Sequence, residues 1–201
     1  MSRLLDLCVG SVLLVLTAPL QAAIALAVRV DLGAPVLFAQ TRPGRGGVPF
    51  RLHKFRTLPD GNVAHATRLG RCLRNLHLDE LPQLFDVLRG RMALVGPRPE
   101  VFDNLAAIDA PTRARLWRVR PGITGPTQLA FVAEDEVLAG LAAPSAAYRS
   151  VLVPAKVQAD LAWLERRTWW RDLWVLLRTP LVLCSPAARR RSRQRVLQLL
   201  S

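Results

Sequence analysis

The chain has 201 residues, enough for one domain with its own core and too few for two large ones. With 51% hydrophobic residues it is not a disordered polycation, although 28 Lys+Arg face only 15 Asp+Glu. The net charge of +13 calls for an anionic counterpart: nucleic acid, lipid headgroups or a phosphate-rich substrate.

In chain order, the first feature is a charge-free stretch from Leu7 to Val28, bounded by Asp6 and Arg29. As a helix its 22 residues extend about 33 Å, the thickness of a bilayer core. Three readings are open. Ala25-Leu26-Ala27 resembles a signal-peptide cleavage site, but one arginine followed by Asp6 is a poor n-region. A straight spanning helix is the second, with Arg29, Arg42, Arg45, Arg51, Lys54 and Arg56 holding the body in the cytoplasm. The third is a helix bent at Pro19 that enters and leaves by one face, which spares Asp6 a crossing of the membrane.

Beyond it, Val36–Phe38 reads as a strand, followed by the glycine-rich run from Gln40 to Pro49 and a second strand or turn at Phe50–Phe55. Glycines 44, 46 and 47 with Arg42, Arg45, Arg51 and Lys54 have the composition of a phosphate-binding loop and equally of a basic surface turn. Leu69, Leu73 and Leu76 define one helical face, with Arg68, Arg71 and Arg74 on another. Pro82 fits the first turn of the next helix and Gly90 its end. Asp79 and Glu80 therefore fall at that helix's N-terminus, where free N–H groups favour ionised carboxylates. Pro97 and Pro99 fix the backbone on both sides of Arg98, and Arg120-Pro-Gly-Ile-Thr-Gly125 makes another rigid turn.

The three histidines, His53, His65 and His77, share no metal-ligand spacing. Cys8, Cys72 and Cys184 show neither C-x-x-C spacing nor an even count, which argues against a disulfide scaffold or zinc site and for a reducing setting. Cys72 is expected to pack in the interior. Residues 131–148 are alanine-rich with an acidic patch, Glu134-Asp135-Glu136, expected as a surface element near the site. Trp163, Trp169, Trp170 and Trp174 mark a helix suited to the headgroup layer, and the five arginines between Arg189 and Arg195 suit an anionic leaflet.

Taken together and in order, Arg3-Leu-Leu-Asp6, Gln40…Arg42…Gly44, Lys54-Phe-Arg-Thr57, Leu78-Asp-Glu-Leu-Pro-Gln-Leu84, Leu94-Val-Gly-Pro-Arg-Pro99 and Arg120-Pro-Gly-Ile-Thr-Gly125 resemble the bacterial sugar transferases, the monotopic phosphoglycosyl transferases. Fainter echoes lie at Asp160-Leu161 and from Asp172 to Thr179, so the resemblance covers about residues 2 to 180. It departs from the family's usual pattern at Ser2-Arg3, Ala18-Pro19 and Ala93. It implies an α/β (α+β) fold: a small sheet with surrounding helices on an N-terminal membrane-inserted, re-entrant helix, and C-terminal interfacial helices. The implied division is residues 1–30 for the membrane helix, 31–185 for a minimal catalytic domain and 186–201 for a basic tail.

The resemblance also implies a reaction: transfer of a sugar phosphate from a UDP-sugar to undecaprenyl phosphate at the cytoplasmic face of the bacterial inner membrane. In that reading Asp79 is the nucleophile, and Asp79 and Glu80 hold Mg²⁺. Arg98, framed by Pro97, clamps a phosphate, with Lys54, Arg56, Arg120 and Arg42 as further substrate binders, and Pro19 breaks the membrane helix. Anionic lipids are the expected further partner. A nucleic-acid-binding protein would explain the charge but not Leu7–Val28. A membrane scaffold would explain the apolar ends but not the Gly-Pro-Arg turns around a carboxylate pair.

Overall fold

A computed structural model describes residues 3–60 and 65–201. Helix α1 (Arg3–Leu32) carries Pro19 inside it. Strands β1 (Leu37–Pro43) and β2 (Pro49–Phe55) form an antiparallel hairpin in register from Leu37↔Phe55 to Pro43↔Pro49. Helices α2 (Arg68–Asn75) and α3 (Gln83–Leu88) flank a 3-10 turn, Leu78–Glu80. Strand β3 (Ala93–Val95) leads through α4 (Ala110–Leu116) to β4 (Gly122–Thr124), its parallel partner. Six helices complete the order: α5 (Pro126–Ala130), α6 (Glu134–Leu138), α7 (Pro144–Ala147), α8 (Val153–Glu165), α9 (Trp169–Leu183) and α10 (Pro186–Leu200). The architecture is α+β, with two two-stranded sheets in place of one.

The principal core brings together Phe50 and Leu52 from β2, Leu84 and Val87 from α3, Met92, Leu94 and Val95 in and beside β3, Trp163 from α8 and Val175 from α9. A second cluster joins Leu105 and Leu116 to Val153, Val157 and Leu161 of α8. The β3–β4 pair admits no side chain at its upper end: a Cβ on Gly122 would lie 2.1 Å from the Gly96 nitrogen, and one on Gly96 would lie 2.6 Å from the Arg120 oxygen. Both positions therefore require glycine for the backbones to meet.

Both ends of α1 rest on this body. At the N-terminal end Arg3 donates to the Val87 and Leu88 carbonyls, the last of α3, and the buried Asp6 accepts from the Leu94 N–H of β3. At the other end Ile24 and Val28 pack with Phe55 and Leu73. Between them Val15, Leu16 and Leu20 are exposed. Pro19 does not divide α1 into two elements, because a single missing N–H leaves the flanking turns bonded. The Thr17 hydroxyl bonds back to the Leu13 carbonyl, a contact that favours helix bending one turn earlier.

Of the two readings of the glycine loop, the structure has the surface turn, closing the hairpin with its amides engaged: Gly44 with Val48 O, Gly46 with Trp117 O and Gly47 with Gly44 O. Two expectations are revised here. Cys72 is exposed, since the buried face of α2 is set by Gly70 and Leu73 instead. Residues 186–200 form a docked helix rather than a loose tail, burying Ala188, Ser192 and Val196 at four-residue spacing against α6 and its neighbours.

Candidate functional site

α2 ends at Leu76, and His77 then takes a left-handed conformation (φ 54, ψ 22) that redirects the chain into the 3-10 turn. Such φ values are uncommon outside glycine, though histidine is among the residues enriched there. The turn buries both Asp79 and Glu80, each 6% exposed, ahead of α3 rather than within its first turn.

Two cations meet Glu80. Lys54 on β2 brings its Nζ 2.5 Å from Glu80 Oε1, and Arg98 Nη2 donates to the same oxygen at 3.2 Å. Burial opposes ionisation of Glu80, but these two charges outweigh it and hold the carboxyl well below its ordinary range. Asp79 has neither a hydrogen bond nor an ion pair among the described residues. Burial, reinforced by the adjacent Glu80 charge, pushes it from its ordinary 3.8 up to about 6. The expected stabilisation of both carboxylates by a helix start is therefore corrected for Asp79: desolvation and a like charge dominate. One turn thus holds a carboxylate whose ionisation its cations favour beside one whose ionisation burial and a like charge oppose.

The Arg98 frame is built from distant parts of the chain. Pro97 accepts from Gly122 N–H at 2.9 Å, and Pro99 accepts from Arg42 Nη1 at 2.9 Å. The buried Asp160 accepts from the Arg98 backbone N–H and from Thr127 Oγ1 at 2.7 Å, and burial raises its carboxyl to about 7. Arg167 pairs with Asp172 at 2.9 Å and donates to Val95 O, while Thr179 meets Thr124 at 2.8 Å. The fainter echoes at residues 160, 172 and 179 all brace the strands or loop that carry Arg98.

Of the residues singled out from the sequence, Asp79, Glu80, Lys54, Arg98 and Arg42 converge. Arg42, with Lys54, Glu80, Arg98 and Gln83, lines a small cavity of about 10 Å³. Pro97 serves as backbone support. Arg56 does not join them; it caps the end of α1 through Leu32 O, Gly33 O and Ala34 O. Nor does Arg120, whose Nε donates to Gly90 O at 2.7 Å.

Other residues of the site escaped the sequence reading. Gln83 is 2% exposed and lines the small cavity. Beyond Arg98 opens a groove of about 320 Å³, whose lining includes Arg74, His77, Gln128, Phe131, Asp135 and Arg189. The acidic run of α6 forms one wall: Glu134 pairs with Lys156, Asp135 with Arg74 and Glu136 with Arg189. Gln83 lies inside the Leu78–Leu84 motif, whereas Arg189 lies in the C-terminal basic run, whose spacing gives no sign of the groove.

Among the described residues no group of three or more His, Cys, Asp or Glu converges to hold a metal. Glu80 Oε1 is engaged by Lys54 and Arg98, which leaves its second oxygen and the Asp79 carboxylate as donors. This donor set fits Mg²⁺, which takes one or two carboxylates and completes its octahedron with phosphate oxygens and water.

Residues 1–186 match the family described as bacterial sugar transferase. A UDP-glucose:undecaprenyl-phosphate glucose-1-phosphate transferase of Caulobacter vibrioides is 39% identical over 190 residues, covering 88% of this chain and 67% of that protein. An uncharacterized sugar transferase, EpsL of Bacillus subtilis, is 43% identical over 138 residues, 64% of this chain and 68% of the relative. A UDP-N-acetylgalactosamine-undecaprenyl-phosphate N-acetylgalactosaminephosphotransferase of Aeromonas hydrophila is 32% identical over 190 residues, 88% of this chain but 42% of the relative.

Proposed function

The chain belongs to the bacterial sugar transferase family, and on that premise we propose that it moves a sugar-1-phosphate from a UDP-sugar to undecaprenyl phosphate through a covalent intermediate on Asp79. The relatives' names support the general reaction. The observation that carries the finer reading is the unpartnered, buried Asp79 carboxylate beside Glu80, Lys54 and Arg98.

An Asp79 oxygen attacks the sugar-bearing phosphorus, the bond from that phosphorus to the bridging oxygen breaks, and UMP leaves with the electron pair. The acceptor's phosphate oxygen then attacks the same phosphorus, the acyl-phosphate bond breaks, and Asp79 is restored as a carboxylate. Splitting the transfer lets a soluble donor and a lipid acceptor use one site in turn. Raised basicity makes Asp79 a better nucleophile than an ordinary carboxylate while leaving it mostly ionised near neutral pH. Lys54 and Arg98 supply positive charge where phosphate oxygens gather. Mg²⁺ held by Asp79 and Glu80 would neutralise the donor's diphosphate.

The body sits on the cytoplasmic face of the inner membrane. Among the described residues α1 is the one helix long and apolar enough to cross a bilayer. That both its ends dock on the same body, with Val15, Leu16 and Leu20 exposed between them, favours insertion from one side. α9 presents Trp170, Trp174, Leu177 and Leu181 on one exposed stripe, with the Arg178 guanidinium 4.4 Å from the Trp174 ring. Such a face suits the headgroup layer of an anionic leaflet.

The test is UMP release from a panel of UDP-sugars with Mg²⁺ and undecaprenyl phosphate, beside Asp79→Asn. Lipid-dependent release from one donor, lost in the variant, is expected. So is a phospho-sugar adduct on the Asp79 peptide by mass spectrometry when the acceptor is omitted. Full turnover by Asp79→Asn would overturn the mechanism.

A further inference from the structure

The family match ends at residue 186, where α10 starts, yet α10 helps to build the groove beyond Arg98. Val196 is fully buried, and Ser192 Oγ accepts from the Ala133 N–H at 3.0 Å, just before α6. This docking sets Arg189 at the groove. Its Nη1 donates to Glu136 Oε1 at 2.6 Å, and its Nη2 donates to the Asn75 carbonyl at the end of α2. One guanidinium therefore links three walls of the cavity. Arg74 makes a matching pair with Asp135 at 2.5 Å.

Both arginines are thus held by acids of α6. Glu136 and Asp135 are well exposed, with side chains 44% and 64% accessible, so each pair is of low net value in water. A nucleotide diphosphate offers a guanidinium several oxygens in forked geometry and more charge than one carboxylate. Exchange of partner on donor binding is therefore favoured by charge and geometry alike.

We infer that Arg189 is a donor-binding residue: its guanidinium leaves Glu136 for a phosphate oxygen of the nucleotide donor, so that α10 completes the groove and Glu136 competes with the donor. This rests on the reading of the groove as the UDP-sugar site. It assigns a binding role to a residue outside the stretch that matches the family, and it makes α6 a built-in rival of the substrate.

The rivalry gives opposite signs for the two partners. In calorimetric titration of the full-length, detergent-solubilised protein with UDP and Mg²⁺, Arg189→Ala weakens binding about tenfold and Arg189→Lys less. Glu136→Gln frees the guanidinium and tightens binding about threefold. If Arg189 merely straps α10 to α6, both Arg189→Ala and Glu136→Gln lower the melting temperature while UDP affinity stays put or falls in both. That pattern overturns the inference. Glu136→Gln alone decides it should Arg189→Ala fail to fold, since loss of one exposed carboxylate spares the core. Wild-type protein that binds UDP while the variants do not differ from it removes this inference alone. Wild-type protein that neither binds UDP nor turns over any UDP-sugar removes the donor-site reading beneath it.

Discussion

The side chain of Asp6, three residues into the described part of α1, accepts a hydrogen bond from the Leu94 N–H of β3 at 3.1 Å across 88 positions of sequence. Four residues after Leu94 stands Arg98, whose guanidinium reaches Glu80. The apolar helix is thereby fastened to the short strand that leads to Arg98, a cation of the site. Arg3 reinforces the attachment at the end of α3, the helix that follows the dyad.

Asp6→Leu should leave the Leu94 N–H buried without a partner, at a cost of about 1–3 kcal/mol. We expect a lower melting temperature together with reduced turnover, because the strand leading to Arg98 loosens. Unchanged values of both would show that α1 is anchored by apolar contacts alone.

Asp79→Asn should abolish transfer, retain UDP binding and raise stability at neutral pH. The sign follows from the raised folded-state value of about 6 against an ordinary 3.8. A raised carboxyl contributes its stability below pH 3.8 and loses it as pH rises through 6. At pH 7 the ionised form is thus a net burden on the fold, which the amide relieves. Melting curves of both proteins between pH 4 and 8 should diverge as pH rises. Formation of the adduct by the wild type should fall about tenfold for each pH unit below 6.

Lys54→Met should cost about 3 kcal/mol or more, since it strips Glu80 of its shorter ion pair in a buried setting. Adding Glu80→Gln should restore most of that stability and none of the activity. Chemical denaturation of the two single variants and the double variant measures the coupling; additive losses would mean that Lys54 and Glu80 do not depend on one another.

Replacing Trp170, Trp174 and Leu177 together by alanine should weaken partition onto vesicles containing anionic lipid by at least about tenfold, given the apolar area withdrawn from the interface. All three side chains are more than half exposed, so the fold should survive. Flotation with the variant and wild type alike would assign membrane attachment to α1.

The local chemistry was legible because it is local. Leu78-Asp-Glu-Leu-Pro-Gln-Leu84 and the prolines about Arg98 declare a turn and a rigid frame in consecutive residues, and the structure contains both. The charge-free run at Leu7–Val28 declared an apolar helix, which extends from Arg3 to Leu32. The roles of individual cations were less readable. Lys54 and Arg56 lie two apart on one hairpin strand and its exit, yet one meets Glu80 and the other caps α1. Nothing in their spacing distinguishes them, because residues two apart along a strand fall on the same face; what separates them is that Arg56 lies just past the end of β2, within reach of the carbonyls that close α1. Arg120 likewise donates to the Gly90 carbonyl and to neither carboxylate of the pair.

By itself, then, the sequence determined which groups were available: a carboxylate pair on a turn, an arginine locked by prolines, and an apolar helix. Those follow from residue chemistry and short-range sterics. Only the tertiary structure decided which cations reach the carboxylates, which glycines let β3 and β4 touch, and that α10 belongs to a groove rather than to solvent. Ionisation had to wait for it too: Asp79 and Glu80 are neighbours with nearly the same intrinsic acidity, and what drives them apart is burial and the arrival of Lys54 and Arg98 at one oxygen of Glu80.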